Sequence, residues 1–162
     1  MPTDNALTAS SASLGLQLVA ITTAIFCPIW WAMTLALLIY KGTFLPFPPL
    51  SFGFEIACTF LLWFVHIGAV SQTKRGNLTE NTTNLALAVL LLLISIVGAV
   101  YYMILQTYVM MLDLGFSATL LCLDVFAVAG CGMTIQSISS NASQAIAAAT
   151  LQAQPPGHQK SE

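Results

Sequence analysis

Charged residues are almost missing from this sequence. Four lysines and arginines and six aspartates and glutamates occur among 162 residues, so 6% of the chain is charged, whereas soluble domains carry about 25%. The hydrophobic fraction is 57% and the mean hydropathy is +0.86. This composition excludes an ordinary soluble globular domain and predicts an integral membrane protein.

Basic residues are also too few to attract nucleic acid or anionic lipid. The formal net charge is −2, and no cluster of lysine and arginine has the size of a polybasic lipid site. We therefore expect the lipid bilayer, and no nucleic acid, as a partner. The four cysteines lie in apolar segments without Cys-x-x-Cys spacing, which predicts neither a disulfide framework nor a redox pair.

Apolar runs of spanning length occur four times. The clearest covers residues 85–105, and a helix of that length measures about 31 Å, close to the ~30 Å hydrocarbon core of a bilayer. The four predicted spans cover about 14–40, 52–70, 85–112 and 116–138. The predicted fold is all-α, an integral membrane four-helix (tetraspan) bundle with short loops. Residues 1–13 and 139–162 are predicted to be flexible tails, the second as a short fraying helix followed by disorder.

Turn-forming residues separate the predicted spans. Three prolines between residues 41 and 51 favour an extended connection at the membrane surface. Gly76-Asn77 is a turn signal, and the Thr/Asn run at 81–84 can cap the third helix. The last predicted connection is Asp113-Leu114-Gly115, which would make helices three and four antiparallel neighbours.

The basic residues near the membrane predict the orientation. Lys74 and Arg75 lie on one side of the predicted bundle and Lys41 alone lies on the other. Because the side richer in Lys and Arg is usually cytoplasmic, both termini are predicted to be cytoplasmic. Glycosylation sequons fall on this same side, at Asn77, Asn81 and Asn141. Their modification would contradict the orientation.

Span two carries a polar stripe. Thr59, Leu62 and His66 follow Glu55 at offsets of four, seven and eleven, which places all four on one helix face. Intramembrane ionisable residues can mark proton or cation paths. A surface position for Glu55 near Lys41, with neutral packing of His66, is the interpretation that we favour. Glu55 and His66 lie about 16 Å apart along the axis, too far to bind one metal ion.

Asp124 lies about 12 Å deep in span four. The apolar residues of this span contribute about −4 kcal/mol to insertion and one central Asp costs roughly +3 kcal/mol, so insertion is marginal unless Asp124 has a partner. Small residues, including Ala127, Gly130 and Cys131, allow another helix to approach closely. A hydrogen-bonded packing role, within the chain or to a partner subunit, is favoured over ion conduction.

Short polar and aromatic motifs mark the connections between the spans. They are Tyr40-Lys41-Gly42, Leu45-Pro46-Phe47-Pro48, Arg75-Gly76-Asn77-Leu78, Tyr101-Tyr102-x-x-Leu105-Gln106-Thr107-Tyr108-Val109 and the acidic Asp113. In this order the chain from about residue 40 to 127 resembles the tetraspan family of ciliary transition-zone proteins that includes transmembrane proteins 17, 80 and 216. The third-helix motif carries the most specific part of the resemblance.

The resemblance implies four helices with cytoplasmic ends, residence in the membrane at the ciliary base, and no enzymatic activity. It implies other transition-zone membrane proteins as partners in a multiprotein gate that controls ciliary membrane composition. Glu55 falls where the family has an acid early in helix two, and Asp124 falls near its acid in helix four. Where the family usually has an acid and an Arg before the Gly-Asn-Leu turn, this chain has His66 and Ala69.

The preferred hypothesis is a non-catalytic multi-pass membrane scaffold of the transition zone that contributes to cilium assembly. We expect no catalytic residue, cofactor or metal ion, because the sequence contains no recognisable nucleophile–base pair, metal cluster or phosphate cradle. The alternative is a small ion, proton or solute transporter using Glu55, His66 and Asp124, and a membrane enzyme is a third option. The candidates for helix packing or partner contact are Glu55, His66, Asp124, Gln106 and Tyr108, and the candidate loop-motif residues are Lys41, Gly42, Pro46, Arg75, Gly76 and Asn77.

Overall fold

Four long α-helices form the described part of the protein. The computed structural model describes the backbone of residues 3–46 and 48–153 and the side chains of residues 14–46 and 48–150. The helices are α1 (Thr3–Phe44), α2 (Pro49–Thr79), α3 (Thr82–Val100) and α4 (Met111–Ala153), and one π-helical turn (Tyr101–Leu105) extends α3. Each contains an apolar stretch long enough to cross a membrane. The predicted all-α tetraspan bundle is confirmed.

The helices pack in a ring. α1 contacts α2, α2 contacts α3, α3 contacts α4, and α4 closes the ring against α1. The side chains that face the interior recur with alternating spacings of four and three residues. In α2 they are Glu55, Thr59, Leu62, His66, Ala69 and Thr73, and in α4 they are Asp113, Ser117, Leu120, Asp124, Ala127, Cys131 and Thr134. This seven-residue repeat is typical of helices that pack with a left-handed supercoil.

Polarity is distributed in the opposite way from that of a soluble bundle. The interior holds fully buried ionisable side chains, among them Lys41, Glu55 and Asp124. Large apolar side chains face outward, including Leu18 at 67% exposure and Val97 at 71%. Lipid can cover such an outer surface, and polar groups inside a membrane bundle pair with one another. The distribution therefore agrees with a membrane-spanning protein.

The helices extend beyond the predicted spans at the end that carries the termini. The backbone is helical from residue 3, and α4 continues to Ala153. α1 thus begins inside the predicted N-terminal tail, and α4 continues through the part of the C-terminal tail that is predicted to be a short helix. Residues 154–162 lie outside the described part of the chain. α2 continues through Gly76-Asn77 to Thr79, which corrects the predicted turn there. Packing explains the difference, because Gly76 lies against α3 and the Asn77 side chain donates to Gln17 Oε1 (3.4 Å).

The connection between α3 and α4 also differs from the prediction. The helical conformation ends at Leu105 rather than near residue 112, and residues 106–110 form the connection. The predicted turn at Asp113–Gly115 is instead the first turn of α4. Asp113 accepts a hydrogen bond from the Met110 N–H (3.3 Å), as the third residue of a helix does in a capping box. The signal at Asp113 thus marks where a helix begins.

The remaining turns are short. α1 and α2 are joined by residues 45–48, of which Phe47 lies outside the described residues, and Pro49 occupies the first position of α2, where proline is favoured. The α2–α3 turn consists of Glu80 and Asn81. Asn81 Oδ1 accepts from the Thr83 N–H (2.9 Å), which confirms the predicted cap. Glu80 adopts a left-handed conformation with φ 49°.

Replacing Gly76 by alanine tests the close approach of α2 and α3. The added methyl group would lie 2.8 Å from Cγ and 3.0 Å from the backbone nitrogen of Leu85. We expect Gly76→Ala to lower the free energy of unfolding by about 1–3 kcal/mol, as overpacking does. Gly53→Ala is the matched control in the same helix, because nothing lies within 4 Å of its added methyl group. Equal thermal stability of the two variants in detergent would contradict this packing.

Candidate functional site in the polar core

One hydrogen-bonded cluster joins all four helices at the end of the bundle opposite the termini. Lys41 of α1 is fully buried and forms an ion pair with Asp113 of α4. Its Nζ also donates to Gln106 Oε1 (3.2 Å). Gln106, at the end of α3, donates through Nε2 to Glu55 Oε2 of α2 (3.0 Å). Together with Thr107, these residues are called the lysine cluster below.

Glu55 is satisfied by donors from the connection that follows α3. Its Oε1 accepts from the Thr107 backbone N–H (3.0 Å) and the Thr107 hydroxyl (2.6 Å), in addition to the Gln106 amide on Oε2. Such bonds offset the cost of burying a carboxylate. A continuing helix would engage the Thr107 N–H in its own backbone ladder. The end of α3 at Leu105 therefore provides a donor for Glu55.

An aromatic layer lies next to the lysine cluster. Tyr102 is fully buried, and its hydroxyl donates to the Glu55 carbonyl (2.7 Å) and lies 2.7 Å from Thr59 Oγ1. Trp30 meets the Tyr102 ring edge-on at 5.5 Å, and its Nε1 donates to Ser117 Oγ (3.2 Å). The buried members of this layer are Trp30, Leu62, Ala99, Tyr102 and Leu120. The Tyr-Tyr motif of the sequence thus supplies a packed interior layer.

A second polar cluster lies on the other side of this layer. His66 Nε2 is 3.1 Å from Asp124 Oδ1, and Ser95 Oγ donates to Asp124 Oδ2 (2.6 Å). Ser95 Oγ is also 3.1 Å from His66 Nδ1. All three residues are buried. We call this trio the histidine cluster. Its serine hydroxyl is directed to the carboxylate, whereas a hydrolytic triad needs the serine proton directed to histidine.

The structure brings the predicted polar residues together in two groups. Glu55 lies near Lys41, as expected, and reaches it through Gln106, but its side chain faces the interior of the bundle. His66 and Asp124, selected separately in the sequence, are direct partners. Ala69, the other departure from the family pattern, belongs to the apolar core. The polar stripe of α2 is therefore an interior face.

The loop-motif residues have different structural roles. Gly42 allows the Phe52 ring to approach, since an added Cβ would lie 2.7 Å from that ring. Tyr108 donates its hydroxyl to the Pro46 carbonyl (3.2 Å) and so ties the two connections together. Arg75 is exposed on α2. Pro46 is also exposed, whereas Tyr108 is half-buried.

The sequence patterns do not reveal every member of the two clusters and of the aromatic layer. They predict a turn at Asp113 and do not connect Ser95 or Tyr102 with the acids. A usable signal existed, because Ser95 and Tyr102 are seven residues apart and continue the repeat of interior positions along α3. Among the residues that the structure describes, no group of three or more His, Cys, Asp or Glu side chains could hold a metal ion.

Removing the Lys41 charge tests whether the lysine cluster holds the bundle together. Lys41→Met leaves Asp113 buried without its cation, so we expect the free energy of unfolding to fall by about 3–5 kcal/mol. Adding Asp113→Asn removes the stranded charge but keeps an oxygen for the Met110 N–H. The double variant should therefore be more stable than Lys41→Met alone. Chemical unfolding in lipid bicelles measures both variants.

Lys74→Met is the matched control for this experiment. Lys74 is half-buried near the other end of α2 and forms no ion pair among the described residues. Its replacement should change the free energy of unfolding by no more than about 0.5 kcal/mol. If Lys41→Met lowers the free energy of unfolding no more than Lys74→Met does, or if the double variant is no more stable than Lys41→Met alone, the ion pair does not stabilise the fold.

Comparison with known proteins shows that the sequence matches one protein family. The family Transmemb_17, described as "Predicted membrane protein", matches residues 18–124. This stretch includes the histidine cluster and the lysine cluster. No solved structure matches the chain.

Several relatives bear the name Transmembrane protein 216. The protein from Danio rerio is 32% identical over 101 residues, which are 62% of this chain and 63% of the relative. The protein from Bos taurus is 31% identical over 84 residues (52% of this chain and 60% of the relative), and that from Homo sapiens is 29% identical over 84 residues (52% and 58%). Each match covers less than two thirds of the relative's length. The chain, a multi-pass membrane protein by its four apolar helices, belongs to the Transmemb_17 family that the sequence motifs indicated.

Proposed function

We propose that the protein is a non-catalytic membrane scaffold of the ciliary transition zone, contributing to cilium assembly and to the gate that controls ciliary membrane composition. The observation that carries this proposal is that residues of the family-like motifs bind one another inside the protein. Lys41, Gln106 and Asp113 bind one another, and Tyr108 fastens the first connection. Because these side chains bond within the chain, they make the bundle rigid. Its outer faces and ends are then available to bind partners.

The arrangement of the two polar clusters supports a scaffold over a transporter. A conduction path would have to link Glu55 with His66 and Asp124. Between the two clusters lies the aromatic layer, in which Trp30 and Tyr102 have 0% exposure. His66 also borders a groove of about 280 Å³ between α1 and α2, but that groove is lined mainly by apolar side chains. The polar groups are thus positioned to bind each other and not a moving ion.

The basic residues support cytoplasmic termini. Lys74 and Arg75 lie near the end of α2, on the same side of the bundle as the termini. Lys41, at the opposite end, is paired with Asp113 in the interior. Unpaired positive charge near the membrane is therefore concentrated on the side of the termini, which is the cytoplasmic arrangement.

Localisation tests the proposed role. A fluorescent tag on the full chain in a ciliated cell should give a signal concentrated at the ciliary base, because the family resemblance implies residence there. An unrelated tetraspan protein carrying the same tag is the control for overexpression. Uniform signal in the endoplasmic reticulum or plasma membrane, with none at the ciliary base, would refute the proposal.

Flux measurements test the competing transporter. We expect liposomes that contain the purified protein to show the same proton and cation leak as liposomes containing the Asp124→Asn variant, since a scaffold has no flux to lose. Equal incorporation of the two proteins is verified by their content in the vesicles. Proton flux that exceeds protein-free liposomes and disappears in Asp124→Asn would favour transport instead.

Epitope accessibility tests the orientation. A C-terminal epitope should be stained in cells permeabilised with digitonin, which opens the plasma membrane and leaves the internal membranes closed. The sequons at Asn81 and Asn141 should then carry no glycan. Staining that requires full detergent permeabilisation, or a mobility shift removed by peptide N-glycosidase, would reverse the orientation.

A further inference from the structure

A polar groove lies at the end of the bundle that carries the termini. Its volume is about 520 Å³. One wall consists of residues 79–82 at the α2–α3 turn, and the other consists of Ile138, Ser139 and Ala142 of α4. We call it the turn groove. It lies apart from the lysine and histidine clusters, and those clusters use none of its side chains.

The α4 wall continues past the bundle as an exposed helix. Every side chain from residue 139 to residue 150 is exposed, and none of these residues is charged. Ile138, Ala142 and Ile146 follow one another at four-residue spacing and so share one face. Ile146 is 68% exposed. An uncharged helix with an exposed apolar stripe beside a groove provides a contact surface for another polypeptide.

The opposite wall holds an unpaired carboxylate in a strained position. Glu80 has φ 49° and ψ 33°, a left-handed conformation that costs a residue with a Cβ about 1–2 kcal/mol and that glycine adopts freely. The side chain is exposed and forms no hydrogen bond or ion pair with any described residue. The described contacts of the fold do not require a glutamate side chain at this position. An acidic group here is explained if it binds something outside the chain.

We propose that the turn groove is the docking site for a peptide segment of a partner protein in which a lysine or arginine lies next to apolar side chains. The basic group would bind the Glu80 carboxylate, and the apolar side chains would pack on Ile138, Ala142 and Ile146. This inference rests on the proposed scaffold function and specifies one of its contact surfaces.

Charge selects this occupant over the alternatives. Glu80 is the charged side chain among the residues that line the groove, and Lys74 and Arg75 are not part of its lining. The Glu80 carboxylate therefore disfavours an anionic headgroup or phosphate group inside the groove. A basic peptide gains a charge-assisted hydrogen bond from the same group. The apolar stripe of α4 adds a requirement for apolar neighbours of the basic residue.

Photo-crosslinking of the full chain in ciliated cells tests the proposal. A benzoylphenylalanine introduced at Ile146 lies on the stripe, one helical turn beyond the groove, and the same group at the lipid-facing Val97 is the positional control. Mass spectrometry maps the crosslinked segment. We expect an adduct from position 146, and not from 97, with a protein segment that contains lysine or arginine.

Glu80 variants supply the decisive comparison. Glu80→Gln should reduce the adduct at least about tenfold, as expected for loss of one charge-assisted bond, and Glu80→Asp should retain most of it. Glu80→Gly should also reduce the adduct while raising thermal stability, because glycine relieves the left-handed backbone. Loss of the adduct in Glu80→Gly therefore cannot result from unfolding.

Several outcomes would overturn the docking site. These are an adduct that Glu80→Gln leaves unchanged, an adduct with a second copy of this chain or with lipid, a mapped segment without a basic residue, and no adduct at all. The localisation of the tagged protein separates this result from the scaffold role. Wild-type protein at the ciliary base without the adduct refutes the groove alone, whereas absence from the ciliary base refutes the scaffold role itself.

Discussion

The burial of Lys41 within a membrane bundle is the constraint on which the rest of the structure depends. An ammonium group without water needs an anion and further acceptors. Asp113 supplies the anion, and Gln106 accepts from Nζ while it donates to Glu55. Because these partners come from different helices, all four helix ends must meet at one place. Three local features occur where the helix ends meet. α3 ends early, the start of α4 is capped, and the chain packs closely at Gly42.

The same physical rule applies along the whole bundle. Polar side chains inside a membrane are tolerated when they bind one another, and the outer surface is then free to be apolar. The histidine cluster repeats the pattern deeper in the bundle, with His66, Ser95 and Asp124 contributed by three helices. A packed aromatic layer separates the clusters. Ionisable residues that resemble a transport path in the sequence are thus arranged as interhelical bonds, which is consistent with a rigid scaffold.

Different parts of the molecule carry different functions in this view. The interior specifies how the four helices assemble, and the end that carries the termini presents the surfaces available to other proteins. There the helices extend beyond the bundle, α4 shows an uncharged exposed face, and Glu80 holds a charge that the fold does not use. The family comparison covers residues 18–124, so the exposed α4 extension lies outside the matched stretch.

Local patterns determined much of this protein from the sequence alone. The long apolar runs established four spanning helices, the spacing of Glu55, Thr59, Leu62 and His66 indicated one polar helix face, and the Thr/Asn run at 81–84 predicted the start of α3. The ion pair of Lys41 with Asp113 joins residues 72 positions apart, and the pairing of His66 with Asp124 joins residues 58 apart. Only the tertiary structure decided these pairs, because each residue has several possible partners until the helices are packed. It also decided that α3 ends at Leu105, since the donors freed there bind a carboxylate on another helix.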